Sequence, residues 1–194
     1  MRSTTYNKLE QLYQKTRGYV STQELMQEGF TNRQIGLLIN EKYLEKVCHG
    51  FYWMMRCEYE KPFDYKCIEV CLSNPRAVIS LESACYYQRI IRTEPEVLTV
   101  ATERTDRSTM KMKFPVERHY FSGNNFKVGI ERIQTAYGVY NIYNAERSLC
   151  DILRLERKDS DNKAVIEIYD SLKARKERAE RLLEYARLFG IKGL

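Results

Sequence analysis

Apolar residues recur on a helical period at the start of the chain: Leu9, Leu12 and Tyr13 fall at i, i+3 and i+4 and predict a helix over residues 5–16 with one buried stripe. Gly18 breaks that pattern, and Tyr19 with Val20 suits a short strand. Two stretches follow, Ser21-Thr22-Gln23-Glu24 and Thr31-Asn32-Arg33-Gln34, each of the form S/T-x-x-E/Q. In such a box the hydroxyl and the residue three places on satisfy each other's orphan backbone donors, so each box starts a helix. The first predicted helix covers 22–28 and turns Leu25 and Met26 to the core. The second covers 32–42, with Ile35, Leu38 and Ile39 inward and Arg33, Gly36, Leu37 and Asn40 outward. Gly29 stands between them, where a chain leaving a helix often turns left-handed. Residues 44–47 and 51–54 then alternate as strands around the turn Cys48-His49-Gly50. Two capped helices followed by a hairpin is the layout of a winged helix-turn-helix, a module that docks on DNA.

Residues 57–62 are polar and charged with one proline, which sets the expected boundary between a winged helix-turn-helix domain over 1–57 and a second domain over 63–194. An apolar helix is predicted over 63–73, and Ser80 is placed to cap another over 81–91. Residues 97–102, 113–121, 126–133 and 139–143 are rich in β-branched and aromatic side chains and predict strands. Helical patterns close the chain over 145–157, 162–174 and 176–188, the last with Leu182, Leu183 and Leu188 on its apolar side. Helices, then strands, then helices, without regular alternation, give an α+β class: an N-terminal winged helix-turn-helix followed by a mixed α+β C-terminal domain ending in helices.

Composition narrows the picture. The chain has 194 residues, 43% hydrophobic and 12% aromatic, enough to bury a core. No apolar run approaches the roughly 20 residues of a membrane span, and MRSTTYNKLE lacks the apolar stretch of a signal peptide, so cytoplasmic residence without membrane contact is expected. Six cysteines lack C-x-x-C pairs and dense spacing, which implies reduced thiols. Cys67 and Cys71 could face one metal four residues apart. His49 and His119 are the chain's two imidazoles and neither sits at zinc spacing, so buried small hydrophobes are the better reading, and no metal or cofactor is expected. The formal charge of +6 is uneven: +3 over residues 1–56, −1 over 57–172 and +4 over 173–194. Excess cations at the ends suit a nucleic-acid contact, because neutralised phosphates release counterions.

The candidate DNA-binding residues follow from the predicted second helix of the module, whose N-terminal end enters the major groove: Thr31, Asn32, Arg33 and Gln34. Arg33 can fork onto guanine O6 and N7, and Asn32 or Gln34 can pair with adenine, although Gln34 competes with its own capping role. Asn40 lies farther along the same side. Lys46 and His49 flank the tip of the hairpin, and Arg2, Lys8, Lys15 and Arg17 form a basic group on or after the first helix. Gly36 costs its helix about 1 kcal/mol relative to alanine. Close approach of a phosphate, or of the first helix, would each account for it. The basic residues Lys173, Arg175, Lys176, Arg178 and Arg181 interleave with Glu177, Glu180 and Glu184, the pattern of a solvated, self-paired face.

No catalytic residues are assigned and no enzyme is expected: a phosphate-cradling glycine loop, a G-x-S-x-G motif and metal-spaced histidines are all missing from the sequence. The alternative is a DNA-targeted nuclease or nucleic-acid-modifying protein with a winged-helix module, for which Glu156-Arg157-Lys158 near Asp151 is the nearest approach to a carboxylate–lysine site. Intrahelical ion pairs explain those residues better. The sequence shows no heptad seam, which favours a monomer in solution that binds cooperatively on DNA.

The stretches GYVSTQELMQEGFTNRQI, LEKVCHGFYWM, ISLESACYYQRI, TVATERT and YNAERSLCDILR together resemble the AbiEi antitoxins of type IV abortive-infection toxin–antitoxin systems. Ser148 stands where the resemblance leads one to expect threonine, and the hairpin carries lysine and histidine instead of several arginines. The resemblance implies an antitoxin whose N-terminal domain binds inverted repeats in its own promoter and represses the operon. Its C-terminal domain would counteract a nucleotidyltransferase toxin without forming a stable complex with it. Glu146, Arg147 and Asp151 lie in the resembling motif and are the candidates in that domain, with structural helix charges and ion pairs as the competing explanation.

Overall fold

The computed structural model describes residues 3–55, 60–155 and 163–191. Contacts divide the chain into two units. The first takes residues through Pro75 together with Thr109–Lys113 and Gln134–Val139, and the second takes the remainder. The chain as a whole is mixed α+β and finishes in helices.

The first unit runs α1 (Ser3–Thr16), β1 (Tyr19–Ser21), α2 (Thr22–Gln27), α3 (Asn32–Asn40), β2 (Leu44–Cys48), β3 (Phe51–Met54) and α4 (Tyr65–Ser73). β3 is the middle strand of an antiparallel sheet ordered β1-β3-β2. Both expected capping boxes are formed in full, on Ser21 with Glu24 and on Thr31 with Gln34. Leu9 and Leu12 from α1, Leu25 from α2, Ile35 and Leu38 from α3, and Leu44 and Met54 from the hairpin share one core. Each such side chain contributes roughly 1.5–3 kcal/mol by leaving water.

Met26 does not join that core and is 45% exposed. In a helix of six residues, Leu25 takes the inward direction and its neighbour points about 100° away. Helix α4, expected in the second domain, belongs by contact to the first unit, so the cut falls after Pro75. Its buried Glu69 accepts a hydrogen bond from Tyr19 Oη at 3.1 Å and one from Lys61 Nζ at 2.7 Å. Burial and the adjacent Glu69 carboxylate push the Tyr19 phenol well above its ordinary range, so it stays a donor.

The second unit contains β4 (Val78–Ile79), α5 (Leu81–Tyr87), β5 (Leu98–Glu103), β6 (Val116–Phe121), α6 (Gly123–Phe126), β7 (Ile130–Gln134), β8 (Val139–Tyr143), α7 (Ala145–Leu155), α8 (Lys163–Lys173) and α9 (Lys176–Phe189), although Gln134 and Val139 count with the first unit. Its sheet has the order β6-β5-β4-β8-β7. β4 pairs antiparallel with β5 and parallel with β8, and β5 pairs parallel with β6. Leu81 and Cys85 of α5 pack with Leu149 and Ile152 of α7, Ile168 and Leu172 of α8, and Leu182 of α9.

Several elements differ from expectation for local reasons. Ser80 does not cap α5 with its side chain, because its backbone continues the β4 ladder: its N–H donates to Thr99 O at 3.0 Å, and its carbonyl accepts from Thr99 Oγ1 at 2.6 Å. α5 ends at Tyr87 instead of reaching Ile91, with Arg89 left-handed at φ +59°. The strand expected over 113–121 begins only at Val116, after Pro115, and the one expected over 126–133 begins at Ile130. In front of the latter, Ser122 accepts the Phe126 N–H at 2.9 Å and the chain makes the single turn α6. On α9, Leu182 and Ala186 form the buried i, i+4 stripe, which leaves Leu183 and Leu188 exposed off its sides.

Candidate nucleic-acid interface

The turn between α2 and α3 is closed by Gly29 at φ +86°, a left-handed value that a side chain would strain. Gly29 N–H donates to Met26 O and Phe30 N–H to Leu25 O, which satisfies the last carbonyls of α2. Lys8 Nζ donates to Glu28 O at 2.9 Å. That bond withdraws Lys8 from the expected phosphate-binding group and gives it a capping role. Lys15 and Arg17 remain exposed, Arg17 in the left-handed turn after α1 at φ +56°. Arg2 lies outside the described residues.

At the start of α3, Thr31 Oγ1 accepts the Gln34 N–H at 3.3 Å, while Gln34 Oε1 accepts the Thr31 N–H at 2.8 Å and its hydroxyl at 3.0 Å. A bidentate contact to adenine needs both ends of a carboxamide. Gln34 therefore cannot make one while it caps. Asn32 and Arg33 are exposed on the first turn and have no side-chain hydrogen bond or ion pair among the described residues. Asn40, the last residue of α3, is exposed as well. A Cβ built on Gly36 would meet nothing within 4 Å, so close packing does not account for this glycine.

The β2–β3 hairpin is tight. Lys46 faces Tyr52 and Cys48 faces Phe51, with a register shift between them at Val47; Lys46 on β2 and His49 in the turn are both exposed. A cleft of about 430 Å³ opens beside it, lined by Lys46, Val47, Cys48, His49, Ser73, Thr109, Lys111 and Lys113. Lys111 and Lys113 were not expected here: residues 113–121 promised a strand, and nothing in the Lys-Met-Lys pattern signals that the segment returns to the first unit. Lys113 Nζ holds Glu45 at 2.8 Å, and Lys61 approaches the same carboxylate at 3.4 Å. Burial alone would raise the Glu45 carboxyl, but the two ammonium groups outweigh it and hold it below the usual range.

In the second unit the resembling motifs converge. ISLESA supplies β4 and the start of α5, TVATERT supplies β5, and YNAERSLCDILR begins at the end of β8 and forms α7. The candidates on α7 are buried: Glu146 is 2% exposed, Arg147 0% and Asp151 0%. Arg147 Nε donates to Asp151 Oδ2 at 2.7 Å, and Nη1 donates to the carbonyls of Asn125 and Val128. Its guanidinium carbon stands 4.5 Å from the ring centre of Tyr143 and 4.3 Å from that of Phe189. Gly129 passes so close that a Cβ there would meet Arg147 Cβ at 2.8 Å. Arg154 also reaches Asp151, at 3.1 Å. Desolvation is the strongest influence on the Asp151 carboxyl and raises it, with both arginines pulling the other way. Glu146 faces Arg178 and Arg181 at 3.9 and 3.8 Å. No member of this trio can touch a macromolecule without opening the unit.

Cys48, Cys67, Cys71, Cys85 and Cys150 are buried thiols outside any disulfide, and Cys57 lies outside the described residues. Burial pushes the Cys48 thiol up to about 11 and that of Cys150 up to about 12, which leaves both unreactive near neutral pH. Among the described residues no cluster of His, Cys, Asp and Glu could hold a metal ion, and no helix is long and apolar enough to cross a membrane. Glu156-Arg157-Lys158 lies outside the described residues.

No family model and no curated protein matches the chain. Among solved structures, the crystal structure of the RV2827C protein from Mycobacterium tuberculosis is similar, with a TM-score of 0.67 and 15% identity over 95% of this chain and 72% of that one. A likeness at that identity concerns the fold.

Proposed function

We propose that this chain is an antitoxin of a type IV toxin–antitoxin system that binds inverted repeats in its own promoter through an N-terminal winged helix-turn-helix and represses its operon. The observation that carries the DNA-binding half is the first turn of α3. Asn32 and Arg33 stand exposed and unpaired there, on a helix fixed by its own capping box. The element order α1-β1-α2-α3-β2-β3, with β3 between its neighbours, supports the module, and Lys46 and His49 supply the flanking hairpin contacts. Arg33 would read a guanine edge and Asn32 an adenine, while Lys15, Arg17 and Lys46 would neutralise phosphate and His49 would donate a hydrogen bond to it.

The antitoxin half rests on the family resemblance. In this reading the α7 trio keeps the second unit folded and the protecting surface lies elsewhere on it. The protein acts in the cytoplasm, as a monomer before it meets DNA, and is not an enzyme. The nuclease alternative gains no support from Asp151, which is locked between two arginines.

The test is a binding titration of the full chain on its native promoter, with and without a divalent metal, alongside co-expression with a neighbouring nucleotidyltransferase reading frame. Sequence-preferring binding without cleavage and relief of toxicity are expected. Arg33→Ala should lose repression and keep protection. Metal-dependent cutting of the promoter would overturn the repressor reading.

A further inference from the structure

We infer that the cleft between the β2–β3 turn and the segment Thr109–Lys113 is a second DNA-backbone site, which grips a phosphodiester beside the bases read by α3. The inference rests on the DNA-binding reading above and adds to it a contact from a part of the sequence remote from the winged module.

The walls are chemically one-sided. Lys46 and His49 come from the hairpin, Lys111 and Lys113 from the returning segment, and Ser73 and Thr109 add hydroxyls; no carboxylate is among the lining residues. Glu45, the nearest acid on the hairpin, is already held by Lys113 and Lys61. Lys46 and Lys111 have no ion pair or hydrogen bond among the described residues, and both are exposed. Two unpaired ammonium groups facing one cleft repel each other and gain from a shared anion. Ser73 ends α4 at this place, and the partial negative charge of a helix C-terminus opposes an anion. Half an elementary charge there is outweighed by the surrounding lysines.

The size and position favour duplex backbone over a free anion. About 430 Å³ of open cleft is far more than a single phosphate fills. It also begins at the hairpin whose first strand, β2, packs directly against α3. Lys111 is the residue that decides the matter: it serves no structural bond and lies outside the sequence of the winged module.

The test measures the full chain against two duplexes of equal length, one carrying the native promoter repeat and one scrambled, across a series of salt concentrations. Lys111→Ala should weaken both by the same factor, flatten the log–log salt slope by about 0.9, and leave the ratio between the duplexes unchanged. Lys111→Arg should restore affinity, Lys111→Glu should weaken binding further, and Lys46→Ala should repeat the loss from the opposite wall. If Lys111→Ala and Lys111→Glu both bind with wild-type affinity and slope while Arg33→Ala loses preference, the cleft assignment fails and the DNA-binding reading stands. If the Lys111 variants weaken binding and Arg33→Ala does not relax preference, the reading of α3 fails and the cleft stands. A wild-type chain that binds neither duplex overturns both. A calorimetric titration with inorganic phosphate that is saturable and lost in Lys111→Ala, with duplex binding unaltered, would assign the cleft to a free anion and overturn the proposal.

Discussion

Arg33 and Arg147 occupy the same kind of place, the first turn of an amphipathic helix, and have opposite surroundings. Arg33 stands in water with no partner among the described residues, next to a capping box that is complete without it. Arg147 is sealed beneath Tyr143 and Phe189, pairs with Asp151, and closes on the carbonyls of the turn that carries Gly129. The first guanidinium is available for recognition at almost no structural cost. The second is fully buried and spends Nε and Nη1 on its own unit. A polar motif near a helix start therefore says little about function until the environment of each side chain is known.

The contrast can be broken most forcefully at Asp151. Asp151→Ala would leave Arg147 buried without its carboxylate, and losing one partner of such a pair costs about 3–5 kcal/mol. Urea unfolding should show that loss. A near-wild-type midpoint would mean that Arg147 does not depend on the pair. Next in size, Arg33→Ala should cost roughly 1–3 kcal/mol of promoter binding and relax the preference for the native sequence. Its unfolding midpoint should stay unchanged, the reverse of Asp151→Ala. Gly36→Ala should split the two readouts within one residue. A methyl group there meets nothing, so helix stability should rise by about 0.5–1 kcal/mol. Affinity for all duplexes should fall if a phosphate approaches that backbone, and improved stability with unchanged binding would remove Gly36 from the interface.

The smallest effect concerns Glu45. Its carboxyl is held below the ordinary 4.5, so the stabilisation it provides is complete above that value and is lost as pH falls through the lowered one. Glu45→Gln should flatten that part of the acid limb in a stability–pH series. It should also strengthen non-specific duplex binding by freeing Lys113, and weaker binding would contradict the charge balance assigned to the cleft.

What was legible in the sequence was what depends on near neighbours. Both capping boxes, the Gly29 turn, the inward stripe of Ile35 and Leu38, and the hairpin strands are encoded within a few residues of themselves, and all are present. What escaped were features fixed by distant partners. Val78–Ile79 is too short to show a period and is a strand because β5 and β8 flank it. Lys8 looked like a free cation until the end of α2 arrived beside it. For Asp151 and Glu146 the sequence offers both a functional role and structural helix charges or ion pairs, because the layer that covers their helix, α8 and α9, comes later in the chain. Lys111 escaped for the same reason: its role depends on a return of the backbone that no local pattern announces.

That return has a bearing on modularity. Because Thr109–Lys113 and Gln134–Val139 complete a unit whose first stretch ends at Pro75, the N-terminal unit is not a contiguous cassette. Transplanting residues 1–75 onto another protein would move α3 while leaving behind Lys111 and its neighbours. The segments of the two units alternate along the sequence, so recombination at a single junction would split the N-terminal unit that it exchanges.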